Sequence, residues 1–67
     1  MSDIIKQLRK IRRDQELSQE AVEAVAALGD GHISQLERGK RTPNLITLTS
    51  WANALGYEVA LQKKGEQ

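Results

Sequence analysis

Side chains that could perform covalent or metal chemistry are scarce in this sequence. It contains no cysteine and a single histidine, His32. A thiolate nucleophile, a disulfide framework and a metal site built on several histidines are therefore excluded, and we expect neither a metal nor a cofactor. The sequence also has no Ser-His-Asp spacing and no phosphate-binding loop. An enzyme is accordingly the least favoured class of function.

The chemistry that the sequence does offer is the binding of anions by clustered cations. The net charge is only +1, from ten Lys and Arg against nine Asp and Glu. The positive charge nevertheless gathers in two places, residues 6–13 and the short stretch 35–41. The first cluster is also typical of a solvated helix face. The second lies in a predicted turn, where the solvated-face interpretation is weaker, and consists of Arg38, Lys40 and Arg41.

Length and hydropathy limit the chain to one small domain. With 67 residues, 39% of them hydrophobic, it can bury only about 60% of its unfolded surface, so a partner subunit is expected to add stability. The longest apolar run, residues 24–28, is far shorter than the roughly 20 residues that span a bilayer. We expect a soluble, unprocessed, cytoplasmic protein without a membrane partner.

Hydrophobic periodicity predicts two helices in the first part of the chain. The first is capped by Ser2 or Asp3. The second begins at Gln19 after the N-cap Ser18 and has a face of small residues. The first helix buries Ile4, Ile5, Leu8 and Ile11.

Two more helices are predicted in the second part. The third spans about residues 30–38 and ends at Gly39. The fourth starts with Thr42 as N-cap and Pro43 at its first position, and it stops at Gly56. Its apolar face consists of Leu45, Leu48, Ala52 and Leu55.

The second and third helices with their glycine-containing turn are the elements of a helix-turn-helix, although such pairs are common in all-α proteins. The residues at these places resemble a known family, the phage-repressor (Cro/CI-type, XRE-family) helix-turn-helix domain. The resemblance covers residues 4–56. It implies an all-α, compact, lambda-repressor-like domain of four helices, which we assign to residues 1–56. The motifs that carry it are Leu17-Ser18-Gln19-Glu20, Ile33-Ser34, Leu36-Glu37-Arg38-Gly39-Lys40, Pro43 and Leu48 to Gly56.

The resemblance implies that the third helix lies in the major groove of DNA while the second crosses the backbone. The residues that it places against phosphates are Gln19, Arg38, Lys40 and Arg41. Free amides at the start of the second helix also favour an anion there. The alternatives are a plain first-turn residue for Gln19 and a solvated turn for the cations. The residues that it places against base edges are Asp30, Gly31, His32 and Gln35.

The start of the third helix departs from the family pattern, which more often has Ser, Thr, Arg or Gln there. Asp30 either caps the helix or accepts a hydrogen bond from a cytosine amino group, since a carboxylate repels phosphate. His32 reaches a phosphate or a base edge, or is a bystander. Gln35 can pair with adenine through its amide. The resemblance further implies a structural ion pair between Glu37 and Arg12.

Beyond Gly56 the hydrophobic period changes from 3.6 to 2, which predicts a strand at 57–62. A lone strand needs a partner, so we expect antiparallel pairing with the same segment of a second subunit. A fifth short helix, which the family often has here, is the alternative, and residues 63–67 are expected to be a disordered tail. Trp51 belongs either to the core or to this interface. The predicted dimer interface comprises Trp51, Tyr57, Val59 and Leu61.

Two functions remain as hypotheses. The first is a homodimeric, sequence-specific repressor that binds a pseudo-palindromic double-stranded DNA operator in a bacterial or phage-infected cell. The second resembles antitoxins of the HipB and HigA kind, which bind a toxin protein and regulate their own operon. The two share a fold, so the third helix does not separate them. A toxin encoded next door and copurifying with the chain would favour the second.

Overall fold

The computed structural model describes residues 3–60 of the 67-residue chain. Within that range the chain forms four helices and no strand. The helices are α1 (Asp3–Asp14), α2 (Gln19–Ala26), α3 (His32–Glu37) and α4 (Leu45–Ala54). The predicted all-α architecture of four helices is confirmed. None of these helices is both long and apolar enough to cross a membrane.

Helix α1 is amphipathic as predicted. Ile5 and Leu8 are buried in the core, and Ile4 and Ile11 pack against its edge. The opposite face is charged and carries an exposed i,i+4 ion pair, in which Lys10 Nζ lies 2.8 Å from Asp14 Oδ2. The hydrogen bond to Asp14 raises the pKa of Lys10 above its ordinary value.

Helix α2 begins where the sequence predicts. Ser18 is its N-cap, and the Ser18 hydroxyl accepts the backbone N–H of Ala21 over 3.0 Å. The helix ends at Ala26, and its C-cap Ala27 adopts a left-handed conformation with φ +60°. A short turn then leads directly into α3, so the two helices form one compact unit.

Helix α3 is shorter than predicted. It contains six residues, and its N-cap is Gly31 at φ +78° rather than Asp30. No side chain of the turn itself caps this end, so the interpretation of Asp30 as a helix cap is wrong. The left-handed conformation suits glycine, and it leaves Asp30 in the preceding turn with an exposed side chain.

Helix α4 starts two residues later than predicted. Its N-cap is Asn44, whose Oδ1 accepts the backbone N–H of Thr47 over 2.8 Å. Thr42 and Pro43 are therefore outside the helix. Leu45 lies in the first turn, beyond the edge of the core, and is exposed rather than part of a buried face.

The core is built from all four helices. Its fully buried side chains are Val22, Ile33, Leu36 and Trp51. Because Trp51 is completely enclosed within one chain, it presents no surface to a second subunit. Its place in the predicted dimer interface is corrected to a place in the core.

The segment after α4 forms neither a strand nor a fifth helix within its described part, residues 57–60. The backbone N–H of Tyr57 donates to Ala52 O over 2.8 Å, and Val59 packs against the core. A strand requires a hydrogen-bonded neighbour, and alternation in the sequence does not supply one inside a single chain. Leu61 and the predicted tail at 63–67 lie outside the described residues.

Candidate nucleic-acid interface

The outer face of α3 and the turn before it display the predicted base-reading residues. Ile33 and Leu36 point inward and are fully buried, because they occupy one face of the helix at a spacing of three. The four predicted base-reading residues are at least partly open to solvent. Asp30 and Gly31 are exposed, and His32 and Gln35 are partly exposed.

One buried carboxylate fixes the C-terminal end of α3. Glu37 accepts Nε of Arg12 at Oε2 over 2.8 Å and Nη2 of Arg12 at Oε1 over 3.0 Å. The third guanidinium nitrogen, Nη1, donates to Leu17 O over 2.7 Å. Glu37 is 6% exposed and Arg12 is 9% exposed. The structure thus brings together the residues of the predicted ion pair, and it ties α1, the start of α2 and α3 to one another.

Gln19 is also turned toward this carboxylate. Its Nε2 donates to Glu37 Oε1 over 3.0 Å, so one amide hydrogen is used inside the protein. Arg9 adds a second cation, with Nε 3.6 Å from Glu37 Oε1 and 49% of its side chain exposed. Neither contact follows from the periodicity of α1 or α2, because both depend on how the helices pack.

A second buried carboxylate fixes the N-terminal end of α3, and the sequence pattern did not predict it. Glu23 of α2 is buried, and its Oε2 accepts the backbone N–H of Ile33 over 3.0 Å. It supplies from a neighbouring helix the cap that no local side chain provides. No local signal in the sequence marks this role, because it depends on how the start of α3 packs against α2.

The loop after α3 carries the cationic residues. Arg38, Lys40 and Arg41 are all exposed. Arg38 Nε approaches Ser34 O at 3.4 Å. Arg41 folds back onto α3, where its Nε donates to Gln35 Oε1 over 2.9 Å. The predicted phosphate contacts on this loop therefore lie directly beside the predicted base reader Gln35.

This arrangement defines a helix-turn-helix protein, and comparison with known proteins agrees. The model of the helix-turn-helix family matches residues 8–62. The chain belongs to this family, which confirms the predicted XRE-type helix-turn-helix domain.

Two proteins from Sinorhizobium fredii that are similar to this chain are named as HTH-type transcriptional regulators. The chain is 43% identical to y4dL over 61 residues, which cover 91% of this chain and 31% of y4dL. It is 47% identical to y4dJ over 47 residues, which cover 70% of this chain and 61% of y4dJ. The chain therefore spans about a third of the length of y4dL and about three fifths of the length of y4dJ.

A solved structure with the same fold is the restriction-modification controller protein C.AhdI from Aeromonas hydrophila. It superposes with a TM-score of 0.76 at 31% sequence identity. The match covers 82% of this chain and 83% of C.AhdI. The likeness supports the lambda-repressor-like arrangement of the four helices described above.

Proposed function

We propose that this protein is a sequence-specific, double-stranded-DNA-binding transcriptional regulator, and that it acts as a homodimeric repressor with α3 in the major groove. One observation carries the proposal. Buried carboxylates, Glu23 and Glu37, hold α3 at both ends, while its outer face is open and bordered by exposed cations. A short helix held in this way presents polar side chains to a groove at low conformational cost.

Base recognition is assigned to the open face of α3 and the turn before it. Gln35 is the principal reader, since its amide can hydrogen-bond base edges in the major groove. His32 and the backbone at Gly31 lie beside it. Asp30, which does not cap the helix, is free to accept from a cytosine amino group.

Affinity that does not depend on sequence is assigned to the cations of the loop. Lys40, Arg38 and Arg41 are exposed, and each can neutralise a phosphate and release counterions. Gln19 contributes less than its position suggests, because one of its amide hydrogens is held by Glu37. Its second amide hydrogen remains for a phosphate.

Dimerisation is assigned to residues 57–62, paired with the same segment of a second subunit. A single reading helix gives too small a footprint for tight binding, so two copies on a pseudo-palindrome are expected. Tyr57 is 51% exposed, which leaves an aromatic ring available for such an interface. Val59 already packs on the core and would position the segment.

Selection of bound sequences from a random duplex pool tests the proposal. The expected result is a pseudo-palindrome whose half-sites lie about 10–10.5 base pairs apart, one helical turn. Recovery of asymmetric sites bound by one chain would contradict the dimer. Failure to enrich any sequence would contradict DNA recognition itself.

An antitoxin is the second candidate, and one observation favours a protein partner. Leu45 and Ile46, at the start of α4, are 66% and 80% exposed. Adjacent exposed apolar side chains are typical of protein contact sites. Copurification with a toxin encoded beside this chain would support the candidate. A protein that purifies alone, even when the neighbouring gene is coexpressed, would contradict it.

A further inference from the structure

The contact between Arg41 and Gln35 limits what Gln35 can recognise. Nε of Arg41 lies 2.9 Å from the side-chain oxygen of Gln35. A guanidinium carries only donors, so the amide atom that faces it must be the oxygen. The Gln35 amide is thereby held with its oxygen engaged and its NH₂ group left for another partner.

The backbone of the loop supports this contact. Gly39 adopts φ +74° and reverses the chain after α3. The backbone N–H of Lys40 then donates to the backbone oxygen of Gln35 over 2.8 Å. Arg41 therefore follows a residue whose backbone is already bonded to Gln35, and the contact forms when the side chains of Arg41 and Gln35 are ordered.

We propose that Arg41 sets the base preference of Gln35 and directs it to guanine instead of adenine. The proposal rests on the proposed function, because it requires α3 in the major groove. A free glutamine amide pairs with adenine by accepting from N6 and donating to N7. When Arg41 holds the oxygen, Gln35 offers donors, and guanine presents two adjacent acceptors, O6 and N7.

Charge reinforces this preference. The amide oxygen retains a second lone pair, but an adenine amino group that approached it would lie beside a cationic, donor-only guanidinium. The acceptors of guanine are attracted to the same group. Nη1 and Nη2 of Arg41 remain available for a phosphate, so one residue joins affinity to base choice.

Lys40 provides the matched comparison. It directly precedes Arg41, has the same charge and is likewise exposed. Its described contact with Gln35 comes from the backbone N–H, which side-chain truncation leaves in place. Lys40→Ala removes a cation from the loop without releasing the amide of Gln35. Arg41→Ala removes a cation and also releases the amide of Gln35.

The test is selection from a random duplex pool with the full-length wild type and with Gln35→Ala, Arg41→Ala, Lys40→Ala and the Gln35→Ala/Arg41→Ala double variant. The base pair read by Gln35 is the one whose preference disappears in Gln35→Ala. At that base pair we expect guanine for wild type and for Lys40→Ala, and adenine for Arg41→Ala. Individual duplexes that differ there should separate by roughly five- to 150-fold in Kd.

The double variant separates an effect through Gln35 from a direct contact of Arg41 with the base. Without Gln35, loss of Arg41 should weaken all duplexes alike and restore no preference. Adenine in the wild-type site, guanine retained by Arg41→Ala, or no preference lost in Gln35→Ala would each overturn the proposal while DNA binding stands. A wild type that enriches no sequence would overturn both. Thermal unfolding of each variant checks that its substitution leaves the fold intact.

Discussion

Replacing Glu37 by alanine removes the carboxylate on which three donors converge. Arg12, which is 9% exposed in the folded wild type, would keep one described partner, Leu17 O, and Gln19 would lose its acceptor. Removal of one member of a buried ion pair costs about 3–5 kcal/mol. A chain of 67 residues has a total stability of only roughly 3–10 kcal/mol. Glu37→Ala should therefore leave the protein marginally folded or unfolded at 25 °C.

The reverse change, Arg12→Ala, should be milder. Glu37 would keep Gln19 at 3.0 Å and Arg9 at 3.6 Å, so its charge would stay partly compensated. The loss is then nearer to that of hydrogen bonds to a charged group, about 1.5–3 kcal/mol. The ranking of the two variants, with Glu37→Ala the less stable, follows from the number of partners that each residue retains.

Urea denaturation at a fixed protein concentration measures both changes. The control is Asp14→Ala, which breaks the exposed ion pair between Lys10 and Asp14. Its N···O distance is 2.8 Å, the same as that between Arg12 Nε and Glu37 Oε2. The Lys10–Asp14 pair is exposed and has one hydrogen bond, whereas the buried Glu37 accepts three. The control should therefore change the free energy of unfolding by only about 0.5 kcal/mol or less. A Glu37→Ala protein within about 1 kcal/mol of wild type, or one more stable than Arg12→Ala, would refute the reasoning.

Three further outcomes are expected. Lys40→Ala should weaken all DNA similarly and lower the salt slope by about one per subunit, measured by anisotropy titrations at several salt concentrations; a loss confined to the preferred site would contradict its phosphate role. Gln35→Ala should cost about 1–3 kcal/mol on the preferred site and relax one position, which duplexes with single substitutions measure; equal loss on all sequences would contradict base reading. Deletion of residues 57–67 removes the proposed interface, so the truncated protein should sediment as a monomer and bind the operator much more weakly. A truncated protein that remains a dimer would contradict this assignment, and the exposed residues Leu45 and Ile46 would then be the first alternative interface.

Local signals in the sequence were sufficient where the deciding contacts are local. Ser18 is followed by a helix whose third amide it caps, and such a cap is readable from a few residues. The start of α4 shows the limit of this reasoning. Thr42 before Pro43 is the predicted cap, but in the structure the cap is Asn44, because its side chain accepts the backbone N–H of Thr47.

Contacts between helices were not readable in the same way. Glu23 is an ordinary helix residue in sequence, and its role arises because the start of α3 lies against α2. The contact of Arg41 with Gln35 depends on the reversal at Gly39 and on two long side chains. The resemblance supplied the pair of Arg12 with Glu37, whereas spacing along the chain did not.

Chemical footprinting of the selected duplex is the most direct test of α3 in the major groove. Dimethyl sulfate methylates guanine N7 in the major groove and adenine N3 in the minor groove. The proposed function predicts protection of guanine N7 in two segments about 10–10.5 base pairs apart, centre to centre. This protection should be lost in Gln35→Ala at the base pair whose preference that variant relaxes. Protection of adenine N3 with guanine N7 left reactive would contradict the placement of α3 in the major groove.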